Sequence, residues 1–267
     1  MSHPVLNAAG PILIGMLHVP PLPGSPNATQ PFSAVRDHVV KDAALLLEGG
    51  ISNLMIENFG DTPFFPDKVP NHTIAYLTAI ATEISTRFPA AELGLNVLRN
   101  DGCSALAIAA ATGASFIRVN VLCGARVTDQ GIVQGIAHDL LRLRKTLSAE
   151  RVAILADVDV KHSAPLARRP ITDEVEDVIK RGHADAIIVS GTATGAAADP
   201  STVREAASAA GSTPVLIGSG ATASFIESFS NLVSGFIVGT AVKHNGNVHE
   251  PVDLIRVREI VSATRSH

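Results

Sequence analysis

Residues 152–162 read Val-Ala-Ile-Leu-Ala-Asp-Val-Asp-Val-Lys-His, an apolar run of strand length that ends in charged side chains. The first residues are apolar without alternation, so both faces of the predicted strand have to be buried. A strand of that kind belongs in a parallel sheet covered by helices. The charged residues follow where the strand ends, at the edge where barrel proteins of the α/β class place their chemistry.

Eight runs of this kind recur along the chain, with turn signals between them. They are Ile12–Val19, Asn53–Phe59, Glu92–Leu98, Phe116–Leu122, Val152–Val160, Ala186–Ser190, Pro214–Gly218 and Gly235–Thr240. Their first residues are 21 to 41 positions apart, the spacing expected of strand–helix units that follow one another. Eight units favour one closed (β/α)8 barrel, a TIM barrel, over an open doubly wound sheet. No linker divides the chain, so residues 1–267 are predicted to form a single domain.

Segments with helical spacing lie between the predicted strands. The clearest is a series on one helical face, formed by Ile132, Ile136, Leu140, Leu143 and Leu147. The other predicted helices are Val35–Glu48, Ile74–Phe88, Ser104–Thr112, Asp173–Arg181, Ser201–Ala210 and Val252–Thr264. Local signals predict that Glu48-Gly49-Gly50 ends one helix, that Thr172 begins another and that Asp199-Pro200 precedes a third.

The composition excludes several classes of protein. The chain has 21 Lys and Arg against 25 Asp and Glu, a net charge of −4, which argues against nucleic acid or an anionic membrane as the main partner. Hydrophobic residues make up 46%, which excludes disorder. The apolar runs are far shorter than the roughly 18 residues of a membrane span, so no membrane insertion is expected.

The same composition predicts the setting of the protein. Two cysteines, Cys103 and Cys123, are too few to staple a chain of this length, so we expect reduced thiols in a cytoplasmic protein. A charged fraction of only 17%, together with Ala-rich helices, indicates buried subunit contacts and predicts a homo-oligomer.

Polar side chains collect at the ends of the predicted strands. They are His18, Glu57, Asp61, Asn96, Arg99, Arg118, Asn120, Asp157, Lys161 and His162. Burying such groups in apolar strands is costly unless they pair or face a polar opening, and the carboxyl ends of barrel strands supply both. A purely structural ion pair of Arg118 with Glu57 or Asp157 is the alternative. For Asp101 and Asp199, a solvated loop residue or a helix N-cap is favoured over a catalytic role.

Glycine-rich loops follow the last three predicted strands. They contain Ser190 and Gly191, then Gly218, Ser219 and Gly220, then Gly239 and Thr240. Glycine lets backbone N–H groups approach an anion, and the last two loops of TIM barrels often hold a phosphate. We therefore predict a phosphate cradle, with tight turns as the alternative. Residues 218–223 also match the dinucleotide fingerprint GxGxxA, but the next strand offers no acidic residue for a ribose.

Several of these segments together resemble a known family. They are IGMLHVPPLPGSP at 14–26, ENFGD at 57–61, NVLRN at 96–100, FIRVN at 116–120 and Lys161-His162. These motifs are similar to those of the BtpA/SgcQ family, from about Ile12 to Arg258. The resemblance implies a barrel of the ribulose-phosphate-binding type, linked to photosystem I accumulation in cyanobacteria and to a sugar-utilisation gene group in enteric bacteria. It supplies no catalytic assignment for these residues.

The leading hypothesis is an enzyme that acts on a small phosphorylated sugar or nucleoside-like compound. The glycine loops would hold the phosphate, and Glu57 and Asp157 would be the acid–base groups. His18 and His162 would assist proton transfer or orient the substrate. The residues expected to bind the rest of the substrate are Asp61, Asn96, Arg99, Arg118 and Asn120. The bond that changes, whether C–H, C–C or glycosidic, stays open.

Three alternatives remain beside it. Lys161 could form a Schiff base with a carbonyl substrate, activated by desolvation or by a neighbouring cation. A divalent metal ion could be held by Glu57, Asp157, His18 and His162, although no short ligand motif supports such a cofactor. From a different class, the chain could be a non-catalytic assembly or regulatory factor on a barrel scaffold. The density of ionisable groups at one edge favours the enzyme.

Overall fold

Eight parallel strands close into a barrel in the computed structural model, which describes residues 3–6, 10–191 and 193–265. The eleven strands of these residues are β1 (Ile12–His18), β2 (Asn53–Glu57), β3 (Glu92–Asn96), β4 (Phe116–Val119), β5 (Ala125–Thr128), β6 (Gly131–Gln134), β7 (Ala153–Val158), β8 (Ser163–Pro165), β9 (Ala186–Val189), β10 (Val215–Ile217) and β11 (Gly235–Val238). The barrel order is β1-β2-β3-β4-β7-β9-β10-β11, closed by β11 against β1. The TIM-barrel prediction is confirmed, and each barrel strand begins within one residue of its predicted start.

Eight α-helices of the described residues alternate with the barrel strands. They are α1 (Phe32–Gly49), α2 (Asn71–Arg87), α3 (Gly102–Thr112), α4 (Ala137–Thr146), α5 (Ile171–Glu176), α6 (Pro200–Ala210), α7 (Ala223–Phe229) and α8 (Leu254–Arg265). One π-helical turn continues α5 at Asp177–Arg181, and short 3-10 turns include Thr240–Val242 after β11. Because every connection between barrel strands carries a helix, the outer face of the barrel is covered, as the apolar strands require.

Local chemistry sets several helix boundaries. Gly50 ends α1 in the left-handed region, with φ 103°, where glycine has no steric cost, so the predicted stop is confirmed. Asp199 caps α6 by accepting from two backbone N–H groups, and Asp101 caps α3 in the same way by accepting from one. The predicted start at Thr172 is wrong, because the extended backbone of Pro170 places the first residue of α5 one position earlier.

Apolar side chains on alternate strand positions fill the barrel. They are Ile12, Ile14, Met16, Met55, Phe116, Ala153, Leu155, Ala186, Ile188, Leu216 and Ile237, and Val5 of the 3-10 turn Pro4–Leu6 joins the same buried cluster. Gly94 of β3 leaves room for the Phe116 ring, since a Cβ at Gly94 would lie 2.1 Å from that ring. Side chains alternate along a strand, so the next inward positions lie nearer the carboxyl ends of the strands. The polar residues begin at those positions.

A small antiparallel sheet, in the order β6-β5-β8, projects from the loops after β4 and β7 and was not predicted. Ile132 lies in β6 and is 57% exposed, and α4 begins only at Ala137. The predicted helix from Ile132 to Leu147 is therefore wrong in its first turn. The spacing of Ile132 and Ile136 fits a helix by coincidence, because the β5–β6 hairpin turns at Gly131 with φ 96°.

Parts of two predictions fall on residues 1–2, 7–9, 192 and 266–267, which lie outside the described residues. They concern the single domain 1–267 and the glycine-rich loop that begins with Ser190 and Gly191. Among the helices described, none combines the length and the apolar character needed to cross a membrane. The single domain, the cytoplasmic location and the homo-oligomer stay predictions.

Candidate active site

The polar ends of the barrel strands lie side by side at one opening of the barrel. In the sheet register, Glu57 of β2 lies between His18 of β1 and Asn96 of β3. Arg118 of β4 and Asp157 of β7 continue this row, and their side chains are 2% and 0% exposed. The fold thus brings together residues that are far apart in the chain, as their positions at strand ends predict.

Arg118 and Asp157 form a buried ion pair with two parallel hydrogen bonds. Arg118 Nε donates to Asp157 Oδ2 at 2.9 Å, and Arg118 Nη2 donates to Oδ1 at 2.8 Å. Asn120 donates to Oδ2 at 2.9 Å and Ser190 to Oδ1 at 3.2 Å. Burial by itself lowers the pKa of Arg118, but the facing Asp157 carboxylate raises that pKa above its ordinary value. Both oxygens of the Asp157 carboxylate are therefore occupied by hydrogen bonds from the protein, in the ion pair with Arg118 that the sequence left open.

Glu57 has a different environment from Asp157. Its carboxylate is buried, and the hydrogen bonds among the described residues include none to it. The nearest titratable partner is His18, whose Nε2 lies 3.9 Å from Glu57 Oε1. Glu57 is thus a carboxylate inside the opening whose oxygens are available to a ligand.

His18 is held neutral beside Glu57. Desolvation by burial, with smaller effects of Lys243, Lys161 and other cations, places the pKa of His18 well below its ordinary value. The ring packs on Phe59 with centroids 4.7 Å apart, and a Cβ at Gly239 would lie 2.8 Å from the ring. A glycine at position 239 therefore gives the imidazole its room. His18 Nδ1 is buried without a partner among the described residues.

Lys161 is another ionisable group at the opening, and its side chain has no counter-ion among the described residues. Desolvation lowers the pKa of its ammonium, although the charge of Glu57 acts in the opposite direction. No carboxylate of the described residues lies within 4.0 Å of the Lys161 nitrogen, whereas buried Lys243 pairs with Asp42. An amine with a lowered pKa in a cavity can act as an acid, a base or a nucleophile near neutral pH.

Two cavities meet at Glu57, Lys161 and Thr194. The first has a volume of ≈ 370 Å³, extends toward the loops after β10 and β11 and is also lined by Arg118, Gly218, Gly220, Thr240, Arg256 and Glu259. The second has a volume of ≈ 340 Å³ and is also lined by Phe59, Phe64, Leu98, Arg99, Asn120, Asp129 and His162. A ligand that occupies both would pass directly over Glu57 and Lys161.

Backbone amides supply donors in the first cavity. Gly220, Ala221, Thr240 and Ala241 line it, and their backbone N–H groups donate no hydrogen bond among those of the described loops and turns. Arg256 of α8 adds a cation there, with its Nη1 3.5 Å from the Ala241 carbonyl oxygen. Sequence reasoning missed Arg256, because an arginine on a terminal helix carries no local signal of its target.

Other predicted phosphate ligands have structural partners. Ser219 Oγ accepts from the Gly191 N–H at 2.8 Å and donates to the Ala196 carbonyl at 2.9 Å. Ser190 donates to Asp157, and neither Ser190 nor Gly191 lines the first cavity. A side chain does not fit at position 218, because a Cβ added to Gly218 would lie 2.5 Å from Ser190 Oγ. Tight turns, the alternative to a phosphate cradle, therefore account for part of these loops.

The predicted substrate ligands divide between the cavities and the scaffold. Arg99, Asn120 and His162 line the second cavity, and burial lowers the pKa of His162. Asn96 is buried and donates to the Arg118 carbonyl and to Asn120. Asp61 is not brought to either cavity, because its carboxylate accepts from the Leu22 N–H at 2.9 Å and joins two loops.

The four residues considered for a divalent metal do not converge. Among the described residues, no group of three or more His, Cys, Asp or Glu side chains is arranged to hold a metal ion. Asp157 is turned to Arg118, while Glu57 and His18 alone are neighbours. The structure therefore supplies no ligand set for the metal alternative within the described ranges.

The closed barrel and its two-part polar opening define the class as a TIM-barrel protein, and similar solved structures agree. The chain aligns with N-(5'-phosphoribosyl)anthranilate isomerase from Pyrococcus furiosus at a TM-score of 0.58 and 13% identity, over 96% of this chain and 98% of that one. KGPDC from Streptococcus mutans gives 0.59 at 10% identity, over 96% and 98%. Dihydropteroate synthase from Xanthomonas albilineans gives 0.59 at 13%, over 96% and 92%. At such identities the likeness concerns the fold.

Relatives in sequence define the family. The BtpA family profile matches residues 10–266, and the chain belongs to the BtpA family. It is 44% identical over 251 residues to photosystem I biogenesis protein BtpA of Synechocystis sp., over 94% of this chain and 87% of that one. It is also 43% identical to an uncharacterized protein of Thermococcus kodakarensis, over 95% of both chains. An uncharacterized mitochondrial protein of Caenorhabditis elegans is 33% identical, over 96% and 94%.

We expect His18 to make the protein less stable in acid. The unfolded chain takes up a proton on this ring below its ordinary pKa of about 6.5, whereas the folded protein does not. From about pH 6.5 downward, the free energy of unfolding should therefore fall by about 1.4 kcal/mol per pH unit from this group, until the folded pKa is reached. Urea unfolding of the wild type and His18→Asn between pH 8 and 5 measures the effect.

The stability advantage of the wild type over His18→Asn should shrink as the pH falls. His138→Asn is the matched control, since the His138 ring is 69% exposed and its replacement should leave the pH profile unchanged. A difference between the wild type and His18→Asn that stays constant across the range would contradict the neutral, buried imidazole.

Proposed function

We propose that this protein is an enzyme that acts on a small phosphorylated sugar or nucleoside-like compound by acid–base chemistry. The observation that carries the proposal is the joining of the two cavities at Glu57, whose carboxylate accepts no hydrogen bond from a described residue, and at Lys161, whose ammonium has no carboxylate of a described residue within 4.0 Å. One cavity contains backbone N–H groups without acceptors among the described residues and an arginine, and the other combines the apolar side chains of Phe59, Phe64 and Leu98 with charged and polar groups. A concave site with few polar groups placed around perturbed ionisable residues is the usual form of an active site.

The phosphate is assigned to the first cavity. Backbone N–H groups of Gly220, Ala221, Thr240 and Ala241 without acceptors suit the oxygens of a phosphate, and Arg256 adds a positive charge. The loops after the seventh and eighth barrel strands are the usual phosphate site of this fold. The name of the aligned N-(5'-phosphoribosyl)anthranilate isomerase refers to a phosphorylated compound, in agreement with this assignment.

Glu57 is the proposed proton carrier. Asp157 accepts hydrogen bonds from Arg118, Asn120 and Ser190, so its oxygens are occupied by the scaffold. Glu57, in contrast, faces the space for the ligand. Neutral His18 beside Glu57 can donate a hydrogen bond from one ring nitrogen and accept one at the other. Lys161 places a cation, or after loss of its proton an amine, at the same point. General acid–base catalysis by such groups typically accelerates a reaction by about 10² to 10⁴-fold.

A ligand screen tests the phosphate assignment. Pentose phosphates, hexose phosphates and nucleoside monophosphates should raise the melting temperature, and their dephosphorylated parents should not. At about 100 times the Kd, a ligand adds about 2.7 kcal/mol, or roughly 5 to 10 °C for a domain of this size. Arg256→Gln should weaken the binding by about tenfold, since it removes one charge-assisted contact.

The control for Arg256→Gln lies on the same helix. Arg258 Nη2 pairs with Glu48 at 3.3 Å, and Arg258→Gln should leave phosphate binding unchanged. A flat response to the whole panel would count against the enzyme and in favour of the assembly or regulatory factor, the role that the name of the Synechocystis relative indicates for that protein.

Glu57→Gln separates catalysis from binding. The amide keeps the size of the carboxylate but cannot carry a proton, so turnover of the stabilising compound should fall by about 10² to 10⁴-fold while its binding persists. Proton and phosphorus NMR in D2O follow both product formation and exchange of carbon-bound hydrogen. Glu205→Gln, at an exposed acid of α6 that lines neither cavity, should retain full turnover. Equal rates in Glu57→Gln and the wild type would reject Glu57 as the proton carrier.

A second candidate mechanism uses Lys161 as a nucleophile. The lowered pKa of Lys161 and its lack of a carboxylate partner among the described residues favour this role, because a neutral amine is the reactive form. The amine would attack a substrate carbonyl carbon, water would leave, and a C=N bond would join the substrate to Lys161. Hydrolysis of the C=N bond would restore the carbonyl group and the Lys161 amine.

Borohydride trapping decides between the two mechanisms. Reduction of the C=N bond during turnover of a carbonyl-containing sugar phosphate should leave a stable adduct on the peptide that contains Lys161, detected by mass spectrometry. Lys243 serves as the internal control, because it is buried against Asp42 and should stay unmodified. Turnover without any Lys161 adduct would eliminate the Schiff base and leave Glu57 with the chemistry.

A further inference from the structure

Among the described residues, buried basic side chains carry their own counter-ions, with one exception. Arg118 pairs with Asp157, Arg126 with Asp159 and Glu174, and Lys243 with Asp42. Arg99 is 4% exposed, as deeply buried as these three, yet none of the ion pairs among the described residues includes it. A buried cation without a counter-ion is costly, so something else has to compensate its charge.

The donors of Arg99 are largely unused. Its Nη2 donates to the Lys161 carbonyl oxygen at 2.6 Å, its Nε is buried without an acceptor, and its Nη1 makes no hydrogen bond to a described residue. Desolvation lowers the pKa of Arg99, as expected for a cation that the protein leaves uncompensated. The guanidinium therefore has both charge and hydrogen-bonding capacity available to a ligand.

The surroundings of Arg99 form a place for such a ligand. Arg99 lines the second cavity together with Phe59, Phe64 and Leu98. Asp157, Asp129 and Glu57 are the anions whose charges act on Arg99, but none of them lies within 4.0 Å of the guanidinium; Asp157 is paired with Arg118, and Asp129 lies at the exposed turn between β5 and β6. Aromatic and aliphatic walls with one buried arginine suit an organic anion.

We propose that Arg99 binds a carboxylate of the substrate at the end of the opening opposite the phosphate cradle, so that the substrate is a phosphorylated compound that also carries a carboxylate. A carboxylate matches the planar guanidinium and adds a single negative charge to a cavity that already contains Glu57 and Asp129. A second phosphate would add up to two. The assignment of the whole substrate rests on the proposed function, whereas the Arg99 subsite can be tested separately.

Two simple probes and two variants separate the subsites. Benzoate, a planar carboxylate on an apolar ring, should bind the wild type, and benzamide, its neutral counterpart, should not; NMR titration measures both. Arg99→Met should weaken benzoate by about tenfold or more and leave inorganic phosphate unchanged. Arg256→Gln should weaken inorganic phosphate and leave benzoate unchanged. If only the predictions for inorganic phosphate fail, the proposed function is rejected. If only the predictions for benzoate fail, the Arg99 subsite is rejected.

Further variants test whether the Arg99 guanidinium itself holds the carboxylate. Where Arg99→Met does not fold, Arg99→Lys keeps the charge without the planar fork, and it should bind phosphate normally and benzoate more weakly. Arg87→Met, at an exposed arginine on α2 paired with Glu83, controls for the loss of one positive charge. Benzoate binding that appears only in Asp129→Asn would make Asp129 the counter-ion of Arg99 and overturn the proposal. Tighter, Arg99-dependent binding of phenylphosphonate than of benzoate would overturn the carboxylate.

Discussion

The ion pair between Arg118 and Asp157 fixes the polar layer at the opening of the barrel. Both groups are fully buried, so each depends on the other, and removal of one would leave an uncompensated charge inside the protein. Asn120 and Ser190 complete the coordination of the carboxylate, and Gly218 makes room for the group. These contacts hold four barrel strands or their loops at the same level along the barrel axis. The cavities lie above this layer, so the layer sets their geometry.

The same ion pair decides which groups remain available for chemistry. Arg118 is neutralised by Asp157, so it does not compete for Glu57, whose carboxylate stays unpaired beside a neutral His18. Lys161 is likewise left without a carboxylate from the described residues, at the point where the two cavities meet. The division follows from hydrogen bonding rather than from burial, because Glu57 is as buried as Asp157. The fully satisfied pair supports the scaffold, while groups with unused donors or acceptors face the opening.

Much of this arrangement could be predicted from the sequence because its signals are local. Apolar runs with short turn signals define the strands, and Asp101, Asp199 and Gly50 define helix ends through contacts within a few residues. Where a signal was ambiguous, prediction failed: Ile132 fits a helical period but lies in a hairpin strand. Arg256 and the anchoring role of Asp61 were invisible, because both depend on contacts between distant loops.

The barrel, its order of strands and helices, and the polar residues at the strand ends can be derived from the amino-acid sequence, because the alternation of side chains and the length of each unit are properties of short segments. Long-range packing selects which carboxylate is neutralised and which is available, and which buried arginine of the described residues lacks a counter-ion. Asp157 and Arg118 are 39 residues apart in the chain, and the sequence offers Glu57 as an equally good partner for Arg118. The closure of the barrel sets the distances among these three groups, and those distances determine the pairing.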